Sequence, residues 1–183
     1  LMATLNQFKQ ILHKYRTKSF SERDKGDKFE RLMAAYLQTD PKFANEFSKV
    51  WLWNEFPGRN ELGGNDTGID IVALTNQGDY WAIQCKCYAP NTSIDKKAID
   101  GFISTSGRQF KDEQFKTTRF AHRLWIDTTG KRWSVHAEGS ILNQDIPVTR
   151  LGLFALEEAP VQWDKSDEGI SGSSARIKKY DTR

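Results

Sequence analysis

The 183-residue chain has the length of a single domain with a core of its own. Its 38% hydrophobic and 12% aromatic content suits a globular protein, and no apolar run approaches the roughly 18 residues of a membrane span, so a membrane role is not expected. A net charge of +3 permits nucleic acid as a partner without requiring it.

In chain order, Leu5, Phe8, Ile11, Leu12 and Tyr15 recur at helical spacing, which predicts an amphipathic helix over 4–16 with Thr4 as its cap. Ser21 opens a second helix whose buried stripe is Phe29, Leu32, Met33, Tyr36 and Leu37, with Glu30 at its edge and a stop at Asp40-Pro41. "KVWLWNEF" (49–56) alternates and is aromatic, the pattern of a strand ending at Pro57-Gly58. After a glycine-rich loop, "GIDIVALTNQGDYWAIQCKCY" (68–88) reads as a hairpin turning at Asn76–Asp79. Thr92 and Asp95 form a capping box for a third helix carrying Ile94, Ala98, Ile99, Phe102 and Ile103. A strand over 120–129, a short helix from Ser134 and an edge strand or loop in "PVTRLGLFAL" complete the pattern. This order predicts a mixed α/β architecture, a sheet covered by helices.

From about Asp164 the chain turns polar and rich in Ser, Gly and Lys, the composition of a linker. Basic residues gather at 14–18, 95–97, 130–132 and 176–179. No charged segment followed by an apolar stretch opens the chain, so no secretory leader is expected. Cys85 and Cys87 alternate onto one strand face and cannot easily bridge each other, as in a reducing compartment. With no histidine nearby, structural thiols are a better account of them than zinc ligands. There is no GxxxxGK[ST] loop, so no ATP motor of the P-loop kind lies in this sequence.

The hairpin carries polar groups where aliphatic ones are expected. Gln84 and Lys86 share one face of the second strand, and a register roughly symmetric about Gln77-Gly78 brings Asp70 beside them. A carboxylate, an amide oxygen and a main-chain carbonyl suit a hard divalent cation. A lysine next to them can orient or deprotonate a water and balance charge on a phosphorane-like transition state. That set fits phosphodiester hydrolysis. The same residues would also serve as a buried Asp–Lys ion pair with Gln84 bonded to the backbone.

"GID" at 68–70, thirteen residues, then "QCK" at 84–86 resembles the D…(E/Q)xK signature of the PD-(D/E)xK nuclease superfamily, in its Mrr-like restriction endonuclease branch. "GDKFERL" (26–32) resembles that branch's upstream helix, with Glu30 after an aromatic. Residues 20–155, through "VWLWNEFPGR", "IDKKAIDGFISTSG" and "WSVHAE", are similar to the amino-terminal nuclease region of single-polypeptide, ATP-dependent restriction-modification enzymes of the type ISP kind. The usual proline before the acid is replaced by Gly68-Ile69.

The resemblance implies a restriction-endonuclease-like fold over 1–163, with 1–20 as a helical extension and 164–183 as a linker toward a helicase-like region. It implies a DNA endonuclease dependent on Mg2+, with Mn2+ able to substitute and ATP used only by modules outside this chain. Asp70 would be the principal metal ligand, Gln84 and the Cys85 carbonyl further ligands, Lys86 the catalytic lysine, and Glu30 a ligand directly or through water. Lys96, Lys97 and Arg108 would contact phosphates. The expected partners are double-stranded DNA and the helicase-like, methyltransferase and target-recognition modules of a longer polypeptide in a prokaryotic cytoplasm. Asp66 is the rival acid to Asp70, and His13, His122 and His136 are read as structural. Competing readings are a DNA-binding module without cleavage, a repair exonuclease or junction resolvase, and an interaction domain.

Overall fold

The structure, a computed structural model, describes residues 6–64 and 67–170. Helix α1 (Gln7–Lys18) is capped by Asn6, whose side chain accepts from the Phe8 N–H; Thr4, the expected cap, lies outside the described residues. Helix α2 (Glu22–Thr39) starts at Ser21 as expected, its hydroxyl accepting from Asp24 N at 3.0 Å, while the Asp24 carboxylate accepts from Phe20 N. Asp40 ends α2 and caps the short α3 (Pro41–Ala44).

Strand β1 (Phe47–Leu52) is shorter than its aromatic pattern suggested, because 3-10 turns take over at Trp53–Glu55 and Pro57–Leu62. Trp53 N makes the last in-register bond, to Asp70 O at 2.8 Å, before the backbone turns, and Pro57 has no N–H to continue a ladder. Strands β2 (Ile71–Thr75) and β3 (Tyr80–Lys86) form the expected hairpin. Pairing Ile71 with Ile83 sets Asp70 beside Gln84.

Helix α4 (Lys96–Ser106) is capped by Asp95, which accepts from Ala98 N at 3.0 Å. Thr92 is therefore not its cap, and Ile94, expected within the helix, instead bridges to Trp133. Two short strands, β4 (Gln109–Lys111) and β5 (Thr117–Arg119), make a small hairpin that the hydrophobic pattern does not announce. Strand β6 (His122–Asp127), helix α5 (Val135–Ile141) and strand β7 (Val148–Leu151) follow, and "LFALEE" forms helix α6 (Leu153–Glu158) rather than continuing an edge strand.

The main sheet runs β1-β2-β3-β6-β7, antiparallel through β3 and parallel from β3 to β7. Strand β3 is central. Alternation sends Ile71, Ala73, Ile83, Cys85, Leu124 and Ile126 into a core shared with α1, α2 and α6, while Val72, Ala82 and Trp125 pack on the other face against Ile99 and Phe102 of α4. Both faces of β3 and β6 are thus covered, as parallel strands require.

The segment expected to be linker from Asp164 is helical over 163–170 and packed: Trp163, Asp167 and Ile170 are buried. Trp163 stacks on Tyr36 and lies against Phe8. Of the 1–20 extension, the described part is likewise in the core, with Phe8, Ile11, Leu12 and Tyr15 buried. Residues 171–183, including the basic run at 176–179, lie outside the described residues. Among the described residues no helix is long and apolar enough to cross a membrane.

Candidate active site

The site forms where β2 begins and β3 ends. Gly68 adopts φ +76°, and a Cβ on it would stand 3.4 Å from both Gln84 Oε1 and Phe102 N. Only glycine combines that backbone conformation with that approach. It delivers Asp70 to the strand end, where Asp70 N donates to Ile83 O at 2.9 Å.

Asp70 Oδ2 accepts from Gln84 Nε2 at 2.9 Å and from Cys85 N at 2.8 Å. Since an ionised carboxylate only accepts, the amide must present its nitrogen to Asp70 and turn its oxygen away. That oxygen, buried on a residue 3% exposed, has no hydrogen-bond partner among the described residues. Lys86 follows on the same strand face, half-buried. Among the described residues it makes no ion pair with Asp70, so the buried-pair alternative is not what forms.

Glu30 arrives from α2 and hydrogen-bonds the Asp70 side chain. Burial, reinforced by the negative charges of Asp70 and Asp27, pushes Glu30 up to about 9. Burial also raises Asp70, against the opposing pull of the Cys85 N–H. Two carboxyls packed this closely hold a proton between them at neutral pH. The Cys85 thiol, buried beside both acids, is held well above its ordinary range. Cys85 and Cys87 are free thiols on the α2 side of the sheet, as their alternation implied.

Glu30, Asp70 and Gln84 line a cleft of about 830 Å³, with α2 as one wall and 52–54 and 67–70 as the other. Among the described residues no three His, Cys, Asp or Glu side chains are arranged to hold an ion. The donor set is instead two carboxyls and an unsatisfied amide oxygen. It fits a hard cation that keeps part of its water shell, and such a cation would replace the shared proton.

The cations on this cleft are Lys86, Arg23 and Arg31. The two arginines were not anticipated, although Arg23, Asp27 and Glu30 have the i, i+4, i+7 spacing of one helix face. Lys96, Lys97 and Arg108 do not line it: Lys96 pairs with Asp100 at the start of α4, and Arg108 donates to Glu61 O at 3.3 Å. His122 is structural, bonded to Thr149 Oγ1 at 2.8 Å with its ring on Trp81, and His13 and His136 are exposed. Asp66 lies outside the described residues.

A five-stranded mixed sheet with helices on both faces, and acid, amide and lysine at the end of its central hairpin, defines the restriction-endonuclease-like fold. Residues 38–173 match the restriction endonuclease family, and the chain belongs to it. Among solved structures it is similar to the ATP-dependent type ISP restriction-modification enzyme LlaBIII bound to DNA, with a TM-score of 0.62 and 24% identity over 84% of this chain. It is similar to the MspJI restriction endonuclease in complex with a 27-mer oligonucleotide (TM-score 0.55, 14% identity, 90% of this chain). A third likeness is to the DNA modification-dependent restriction endonuclease AspBHI (0.52, 16%, 90%). The chain spans 9%, 34% and 40% of those three proteins respectively. No curated protein matches it in sequence.

Proposed function

We propose that this cleft hydrolyses phosphodiester bonds of DNA with a divalent cation, magnesium or manganese, and that the domain is the nuclease module of a restriction-modification enzyme. The observation that carries the reading is the unsatisfied Gln84 oxygen, on a side chain bonded to Asp70 and belonging to a residue that lines the same cleft as Glu30 and Lys86. Leaving a buried acceptor unpaired costs about 1–3 kcal/mol, a cost expected where the acceptor serves a ligand.

Asp70, Gln84, Glu30 and the Cys85 carbonyl would hold the cation, which when bound polarises the phosphate and lowers the pKa of a coordinated water. Asp70 is kept in place by the Cys85 N–H and the Gln84 amide. Lys86 Nζ orients the attacking water and offsets charge on the phosphoryl oxygens as it develops. The water oxygen bonds to phosphorus as the bond to the 3′ oxygen breaks, leaving a 5′-phosphate and a 3′-hydroxyl. One such cleft cuts one strand. Motor, methyltransferase and target-recognition modules would belong to a longer parent polypeptide, as the small share of the LlaBIII chain covered here is consistent with.

The test is nicking of supercoiled plasmid by the 183-residue chain. Slow, sequence-independent nicking with magnesium or manganese, abolished by chelator and by Asp70→Ala, is expected. Calcium should support binding with little turnover. Undiminished cleavage in excess chelator would overturn the reading, and DNA binding without any cleavage would leave only a binding module.

A further inference from the structure

We infer that the cleft face of α2 bearing Arg23, Gly26 and Arg31 is the wall along which the sugar-phosphate backbone of one DNA strand lies, its guanidiniums holding phosphates that flank the one being cleaved. The inference rests on the nuclease reading above and assigns its substrate track.

One observation points there and a second is in keeping with it. The first is a contrast in how α2 uses its cations. Lys25 pairs with Glu22 and Lys28 with Asp24, whereas Arg23 and Arg31, both lining the cleft, make no hydrogen bond or ion pair among the described residues. Asp27, four residues from each arginine, shares the cleft and raises Glu30 and Asp70, but it forms no ion pair with Arg23 or Arg31 among the described residues. Unpaired guanidiniums, with their forked donors, are the groups suited to bind phosphate bidentately.

The second observation is Gly26. Glycine inside a helix is unfavourable, and it is usually retained where a Cβ would collide or the backbone needs a left-handed turn. Neither holds here: Gly26 has ordinary helical geometry, and a Cβ built on it would meet nothing within 4 Å. The vacant space opens on the cleft between Arg23 and Glu30. The same open space surrounds Gly101 and Gly139 in other helices, but of these three only Gly26 lines the cleft, where it leaves room for a strand backbone to pass close to the helix.

The spacing agrees. Arg23 stands seven residues before Glu30, about 10 Å along the helix. Phosphates of one strand recur about every 3.4 Å of duplex axis. With α2 running along the duplex axis, Arg23 would reach a phosphate about three nucleotides from the scissile one, and Arg31 an adjacent phosphate.

The test is affinity for a short duplex in calcium, measured across a salt series, with manganese affinity and melting temperature followed in parallel. Arg23→Ala and Arg31→Ala should each weaken DNA binding about 3- to 10-fold and reduce the slope of log K against log salt by about one, with manganese affinity unchanged. Gly26→Ala and Gly26→Leu should raise the melting temperature by about 2 °C while weakening DNA binding, Leu more than Ala. A stabilised protein with poorer binding cannot be explained by misfolding. Unchanged affinity in Gly26→Leu and Arg23→Ala overturns the inference. So does a Lys96→Ala, Lys97→Ala double variant that weakens binding as much as the arginine variants, since attraction would then be diffuse. If these outcomes occur while plasmid nicking persists, only the track is wrong; a wild-type chain that nicks no DNA with magnesium overturns the nuclease reading as well.

Discussion

Gln84 donates its amide to Asp70 at 2.9 Å across the β2–β3 pair and is left with a buried oxygen that no described group satisfies. Together with the Cys85 N–H this bond holds the acid, and it determines how substitutions at the two positions should differ. Asp70→Ala and Lys86→Ala should each lower cleavage at least about 100-fold. Gln84→Ala should be milder, because Asp70 keeps its bond from Cys85 N. Gln84→Glu should retain activity yet destabilise the metal-free protein, as a third carboxylate joins Asp70 and Glu30. Nicking rates and melting temperatures of the four variants, with and without magnesium, check this.

The raised acids make stability depend on pH in a defined direction. Glu30 rises from 4.5 to about 9 on folding, so between those values the folded state holds a proton that the unfolded chain has released. Without metal, stability is full below the lower value and falls as pH climbs toward the upper one. On the proposed function, a bound cation would take the proton's place. The rise in melting temperature on adding magnesium should therefore be larger at pH 8.5 than at pH 6, and Glu30→Gln should flatten the metal-free pH profile. A magnesium effect equal at both pH values would contradict it.

Asp127, with no exposed surface, receives Arg150 through two bonds of 2.7 and 3.0 Å, plus Trp125 Nε1 and Thr129 N. Removing the guanidinium strands a buried carboxylate. Arg150→Met should cost about 3–5 kcal/mol in denaturant titration. Arg150→Met with Asp127→Asn should recover much of the loss, because the orphaned charge is then gone.

Trp163 is 3% exposed between Phe8 and Tyr36. Trp163→Ala should destabilise by about 3–5 kcal/mol. Truncation after Pro160 should lower the melting temperature sharply, whereas truncation after Ile170 should be far milder. If 164–170 were spacer, a cut after Asp164 would be silent.

The reactive hairpin was legible because strand alternation is strict. Once Gln84 and Lys86 share a face and the turn sits at Asn76–Asp79, Asp70 has one place to go. The signal at α2 was weaker, since Glu30 at the edge of a buried stripe reads equally well as a surface acid. Arg23 and Arg31 were not singled out because a charged residue on a helix is ordinarily solvated, and only the cleft distinguishes theirs. The β4–β5 hairpin escaped because three-residue strands carry too few positions to establish a period. Helix 163–170 was hidden by composition: three buried residues at 163, 167 and 170 are spaced helically, but they are surrounded by Asp, Lys, Ser and Glu. The Gly68 conformation explains why the acid can follow Gly-Ile, which the sequence alone did not.

The Asp167 carboxylate accepts from the Tyr15 hydroxyl at 2.8 Å and from Lys14 Nζ at 2.6 Å, across 152 and 153 residues of chain. Contacts of such long range form only after the intervening sheet has brought both ends together, since closing so large a loop carries an entropic cost that local contacts do not. During synthesis, then, Lys14 and Tyr15 wait for Asp167 until residue 167 has emerged, although α1 can already pack on α2, while the strands bearing Asp70 and Lys86 already have their partners. The clasp is accordingly a late-closing latch, drawn shut only once the helix over 163–170 has been made.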